Sequence, residues 1–245
     1  MEEIKLKGIV IKAKDFKDSD KIVTIFSAEK GLISARVRGV KKNKAKLAFA
    51  VQPFAFVEFL LSSRDDFYTV INATSIDQFF DITTDFDKYI LMLACLEICE
   101  KTMKAESSDP DMFLLLLNVL KSVCYDGANA MISFVKFVLE AMNILGLKIQ
   151  TKNCACCCGT LHKNIYKFSY EHNGLLCGRC SESEKTLELS EGEFKIIRTI
   201  DMTSISEVKN LMFDSHKDLI AVISLLVKNF RLLTDEEILT IKQFL

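Results

Sequence analysis

Histidine, proline and glycine are all scarce in this sequence. Three histidines in 245 residues leave few acid–base constellations to draw on. Two prolines and nine glycines leave little room for long flexible linkers. Uninterrupted apolar stretches are missing too. No window reaches the ~18 apolar residues that a membrane-spanning helix needs. The N-terminus "MEEIKLKG" lacks the basic-then-apolar layout of a secretory signal. These absences point to a cytoplasmic protein with no membrane partner, in a compartment that keeps thiols reduced.

Enzyme motifs are missing as well. The chain has no Gly-x-x-x-x-Gly-Lys-Ser/Thr loop, no Gly-x-Gly-x-x-Gly, no Gly-x-Ser-x-Gly and no His-Glu-x-x-His. The carboxylates of "DFKDSDK" (15–21) stand among lysines at a turn and read as a solvated loop rather than a metal site.

What is present divides along the chain. Hydrophobic residues make up 49% and charged residues 27%, a soluble globular composition that at this length predicts more than one compact unit. Net charge is −1, but residues 1–46 hold thirteen Lys/Arg against six Asp/Glu, a surplus of +7. A basic head on an acidic remainder points to an anionic partner for the head.

Residues 4–75 read as five short strands. "GLISARVRG" puts Ile33, Ala35 and Val37 on one face and Ser34, Arg36 and Arg38 on the other. Five such runs joined by basic loops fit a small closed barrel. From Asp85 to about Lys148 the period turns helical, with Leu91, Ala94, Cys95 and Ile98 on one face. Asp109–Pro110 marks a helix start, and Gly127 and Gly146 mark helix ends. Cys95, Cys99 and Cys124 on these helices behave as small hydrophobes. Ser190 and Glu193 form a capping-box pattern, and "HKDLIAVISLLVKNFRLL" and "DEEILTIKQFL" predict two amphipathic helices.

Between the helical parts lies a cysteine module, 149–182. Cys154-x2-Cys157 and Cys177-x2-Cys180 enclose nineteen residues, a spacing suited to one tetrahedral Zn2+. Four thiolates close the coordination shell, so such a metal is structural. The first pair is open to a second assignment. Cys156 and Cys158 crowd it, Cys158 stands where a knuckle usually has glycine, and a Cys154-x3-Cys158 bite competes with Cys154/Cys157. His162 and His172 read as loop histidines that could replace a cysteine.

Four stretches carry a family resemblance: Gly8 to Lys42, "VQPFAFVEFLL" (51–61), "LEAMNILGLKIQTKNCACC", and "GLLCGRC" (174–180). In this order they resemble the bacterial recombination-mediator family RecO. The resemblance implies an α+β architecture. An OB-fold domain (1–80) is followed by a helical domain (81–148 and 183–245) that embeds the zinc module (149–182). It implies no enzyme but a DNA repair protein of the cytoplasm, nucleoid-associated during repair. Such a protein binds single- and double-stranded DNA and anneals complementary strands. With RecR it helps load RecA on DNA coated by single-strand-binding protein, whose acidic C-terminal tail some members receive on the helical domain.

The DNA contacts expected from the charge pattern are Arg36, Arg38, Lys41, Lys42, Lys44 and Lys46, joined by Lys12, Lys14, Lys17 and Lys21. Phe16 is the nearest candidate for base stacking, with packing as its other reading. Few other aromatics look exposed, which predicts binding through the DNA backbone. Two other classes stand beside this one: an adaptor whose basic head meets an acidic protein, and a zinc-dependent nucleic-acid enzyme.

Overall fold

A computed structural model of the chain describes residues 2–42, 44–64, 67–161 and 166–245. The alternating segments form β1 (Glu2–Phe16), β2 (Asp20–Ser27), β3 (Gly31–Val37), β4 (Phe56–Arg64) and β5 (Phe67–Asp77). They close into a barrel in the order β1-β2-β3-β5-β4. All contacts are antiparallel except the β3–β5 junction, where Ala35 pairs with Tyr68 and Arg36 with Thr69 in parallel. This is the OB-fold arrangement. Val10, Val23, Ile25, Ile33, Val57 and Phe59 fill its interior.

The barrel does not stand alone. Gly8 to Ile11 are buried on both faces of β1, which a half-exposed strand would not be. The register shift between Val10 and Lys12 rotates the strand there. Ile9, Ile11, Phe26 and Leu32 point out of the barrel into a second, larger core. That core belongs to helices α1 (Phe86–Thr102), α2 (Pro110–Tyr125) and α3 (Ala130–Ile144), with two later helices.

The caps of these helices follow from local chemistry. The carboxylates of Asp85 and Asp109 accept the backbone N–H groups of Lys88 and Met112 at 2.8 and 2.9 Å. Pro110 sits in the first turn of α2, where a missing N–H costs nothing. Cys95 and Cys99 are fully buried in the core, where burial pushes both thiols far above their ordinary pKa.

The connector between α1 and α2 lies across the β2–β3 turn. The N–H of Glu106 donates to the carbonyl of Leu32 at 3.1 Å, and the hydroxyl of Ser108 donates to the carbonyl of Ala28 at 2.8 Å. Gly31 permits this crossing: its φ is +61°, and a Cβ there would stand 2.1 Å from the carbonyl oxygen of Ser107.

The chain then builds a small sheet, order β7-β6-β8, from β6 (Lys167–Ser169), β7 (Gly174–Leu176) and β8 (Leu187–Glu188), with a single turn, α4 (Gly178–Ser181), between β7 and β8. Phe168 and Leu175 anchor it in the helical core. Helix α5 (Glu191–Met202) opens on the expected capping box. Ser190 Oγ accepts from the N–H of Glu193 at 3.0 Å, and the carboxylate of Glu193 accepts from the N–H of Ser190 at 2.8 Å. Helix α6 (His216–Thr234) returns along α3.

The final segment departs from expectation. "DEEILTIKQFL" is not an amphipathic α-helix; it holds only a 3₁₀ turn over Thr240–Gln243. Asp235 in the left-handed region ends α6. The carboxylate of Glu97 then takes the N–H groups of Leu239 and Thr240 at 2.9 and 2.8 Å. Ile238, just before the turn, and Ile241, within it, are both buried and anchor the segment. Among the described residues, no helix is long and apolar enough to cross a membrane.

Candidate functional site

The strand register dictates what the outer face of β1–β2–β3 displays. Lys12 pairs with Thr24 and Thr24 with Ser34; Lys14 pairs with Ile22 and Ile22 with Arg36. Cross-strand partners share a face, so each row presents its side chains together. The face therefore carries Lys12, Lys14 and Arg36 in order, continued by Arg38 in the turn after β3.

The structure sorts the expected basic residues into two groups. Several are committed to carboxylates. Arg36 donates through Nε to Asp20 at 2.8 Å, Lys41 lies 2.9 Å and Lys21 3.7 Å from Asp15, and Lys12 forms a close ion pair with Glu100 of α1. Lys14, Lys17, Arg38, Lys42, Lys44 and Lys46 are exposed and make no ion pair among the described residues. Cations in this second group keep their full charge for an outside partner.

The 15–21 hairpin is not a solvated loop throughout. Asp15 and Asp18 are exposed, but Asp20 is 5% exposed and organises the turn. One of its oxygens accepts the N–H of Gly39 at 2.8 Å and the hydroxyl of Ser19 at 3.1 Å; the other takes Arg36. The Gly39 amide and the Arg36 guanidinium hold this carboxyl at a pKa of about 2. Local charge density suggested solvation; the partners that bury Asp20 lie sixteen and nineteen residues away.

Aromatics on this face also differ from expectation. Phe16 carries the guanidinium of Arg36 at 5.3 Å and the ammonium of Lys17 at 5.4 Å from its ring centre, so cations already occupy its π-surface. Exposed rings are not scarce: Phe67, Phe80 and Phe86 are all more than half exposed. Phe67, at the start of β5, is 78% exposed. It lines a cleft of ≈ 700 Å³ between barrel and helical body, together with Lys12 and Lys14. Strand alternation could not find it, because the first residue of a strand can face either way.

The second site is the thiol cluster. Sγ atoms of Cys154, Cys157, Cys177 and Cys180 all lie within 4.8 Å of one another. Sulfurs at the corners of a tetrahedron with metal–sulfur bonds of ~2.3 Å are roughly 3.8 Å apart. Cys157 and Cys177 are 3.7 Å apart. The donor set and its spacing fit a tetrahedral metal ion.

Backbone geometry explains the choice of sulfurs. Cys154 and Cys157 sit on a tight knuckle closed by the N–H of Cys158 to the carbonyl of Cys154 at 2.9 Å, and by the N–H of Cys154 to the carbonyl of Gly159 at 2.8 Å. Cys158 has a φ of 59°, so it does the conformational work of the displaced glycine. Its side chain is exposed outside the four-sulfur cluster. The second pair straddles the start of α4, with Cys177 as its N-cap residue. Burial pushes the Cys154 thiol up, but N–H groups of Cys157, Cys177 and Cys156 outweigh it and bring the group to about 6. The N–H of Cys177 donates to that sulfur at 3.3 Å. His172 lies 3.3 Å from Glu184 rather than in the cluster; His162 lies outside the described residues.

Hydrogen bonds weld the module to the helices. Asn173 donates to the carbonyls of Leu147 and Lys148 at 3.0 and 3.2 Å and accepts from the buried Asn229 of α6 at 2.8 Å.

Comparison with known proteins bears on both sites. The family model described as "Recombination protein O N terminal" matches residues 1–79, and "Recombination protein O C terminal" matches residues 83–220. The chain is 30% identical over 212 residues to the DNA repair protein RecO of Caldicellulosiruptor saccharolyticus, covering 85% of this chain and 86% of that one. It is 29% identical over 209 residues to the DNA repair protein RecO of Acetivibrio thermocellus (85% and 83% covered). With the protein of that name from Listeria monocytogenes it shares 27% over 208 residues (84% and 80%).

Proposed function

This chain belongs to the RecO family of DNA repair proteins, a non-catalytic family acting in repair and recombination, and from that premise we propose that it is a strand-annealing recombination mediator. Its barrel binds single- and double-stranded DNA. With RecR it helps load RecA on DNA coated by single-strand-binding protein. The observation that carries the DNA-binding reading is the set of exposed cations that have no carboxylate partner among the described residues: Lys14 on the β1–β2–β3 face, Lys17 and Arg38 in the turns at its end, and Lys42, Lys44 and Lys46 in the segment that follows β3.

Annealing requires two polyanions to approach. Cations fixed on a rigid strand face, and on the loop beside it, release condensed counterions from each strand and lower that repulsion. They read phosphates rather than base edges, so they act on any sequence. The ion-paired group, Lys12, Lys21, Arg36 and Lys41, holds the face in shape. Asp15 and Asp20 take part of its charge without cancelling it.

Cys154, Cys157, Cys177 and Cys180 would hold Zn2+. With all four positions taken by sulfur the ion would supply folding energy, not chemistry. The acidic, apolar tail of single-strand-binding protein suits a groove on the helical body. Val227, Ile238 and Ile241 line it, and Lys228, Arg231 and Lys242 flank it, the last two paired with Glu237 at 3.3 and 3.0 Å.

The test is annealing of complementary fluorescent oligonucleotides, bare and coated with single-strand-binding protein, with and without RecR. Acceleration that declines steeply with salt supports the reading. A chain that leaves a random oligonucleotide unshifted in a gel, yet binds acidic peptides, would be an adaptor instead.

A further inference from the structure

We propose that the cleft between barrel and helical body receives one unpaired DNA base, stacked on Phe67, and that this contact makes the protein prefer single strands over duplex. The inference rests on the DNA-binding reading above and adds to it a residue and a selectivity.

Phe67 leaves most of a large apolar ring in water, at the edge of a concave site. Leu32 and Met103, both buried, give that site an apolar floor. Its volume, ≈ 700 Å³, lies in the range of clefts that hold small molecules. The hydroxyls of Thr24 and Ser34 lie on the same cross-strand row as Lys12, one step from the Ala35–Tyr68 pair that brings β5 alongside. They can donate to and accept from a base edge.

Charge decides which part of a nucleotide enters. Glu100 and Glu106 line the body side of the cleft; Glu100 is paired with Lys12, and one oxygen of Glu106 accepts the hydroxyl of Tyr68 at 3.3 Å, which leaves its other oxygen for a base. Carboxylates repel phosphate but accept from exocyclic amino groups. Lys14, exposed and without an ion-pair partner among the described residues, stands on the barrel side, toward Arg38 and the basic loop. A backbone held by those cations would therefore turn its base inward. A base inside a duplex cannot make that turn without leaving its stack, which is costly. Phe16 cannot serve, since its ring already holds Arg36 and Lys17.

The experiment uses full-length protein and a single-stranded oligonucleotide carrying 2-aminopurine, beside a duplex of the same length. Wild type should change the probe's fluorescence on binding the single strand. Phe67→Ala should abolish that change and weaken single-strand binding on the order of tenfold, leaving duplex affinity in place. Phe67→Trp should restore both. If Phe67→Ala keeps the signal and the affinity, or loses single-strand and duplex binding alike, the cleft is not a base site, although the DNA-binding reading survives the first of these outcomes. If wild type binds neither DNA, both readings fall.

Discussion

Arg36 and Asp20 are joined across the β2–β3 hairpin, Nε to Oδ2 at 2.8 Å, with the ring of Phe16 beside the guanidinium. The most central cation of the basic face is thus a structural strut, and its partner is a carboxylate that also fixes the Gly39 turn.

Replacing Asp20 by Asn should lower the denaturant midpoint at neutral pH. Its folded pKa, about 2, lies below the ordinary 3.8, so its contribution is complete above the higher value and is lost as pH falls through the lower. The gap between wild type and Asp20→Asn should therefore close on acidification. Urea midpoints measured at several pH values check this; a gap that widens toward acid would contradict it.

The two classes of basic residue should separate by salt dependence. Changing Arg38, Lys42, Lys44 and Lys46 together to Gln should reduce the slope of log affinity against log salt for single strands by roughly 3. Changing Arg36 or Lys12 singly should shift thermal stability more than that slope. Fluorescence anisotropy titrations from low to moderate salt, with melting curves alongside, measure both.

If the cluster holds zinc as proposed, serine at any one of positions 154, 157, 177 or 180 should abolish zinc binding and loosen the module, whereas Cys156→Ser and Cys158→Ser should still bind one ion per chain. Metal content by atomic absorption, with proteolysis of the 149–182 region as a second readout, decides it. Loss of zinc from Cys158→Ser with retention in Cys157→Ser would reassign the first pair.

Gly31→Ala places a methyl group 2.1 Å from the Ser107 carbonyl oxygen, on a backbone with φ +61°. The strained backbone and the displaced connector should together cost about 2 kcal/mol or more. Equilibrium unfolding gives the value, and an effect below ~0.5 kcal/mol would mean that the connector moves freely.

Features governed by short-range rules were legible in advance. Alternation around Ile33, Ala35 and Val37 depends only on the two-residue pleat. Asp109–Pro110 and Ser190–Glu193 are caps closed within one turn. The two Cys-x-x-Cys pairs constrain each other by spacing. What escaped depends on distant partners. Nothing beside Asp20 in the chain announces that Arg36 and Gly39 will bury it. Nothing in "DEEILTIKQFL" announces that Glu97 will cap Leu239 and Thr240 from another helix and hold the segment out of α-helical form. The exposure of Phe67 is set by where the helical body stops covering the barrel.

The parallel junction of β3 with β5 gives the cylinder a seam. Among the described residues it is stitched at two positions, Ala35–Tyr68 and Arg36–Thr69, while β1 and β2 are matched along eight. Loop-side breathing should start there, and whichever of the Tyr68 and Thr69 amides faces β3 rather than β4 should take up deuterium before those of Val23 or Ile25. A nucleotide lodged against Phe67 would lie over that seam and work as a fastener, so that cargo and container stiffen each other.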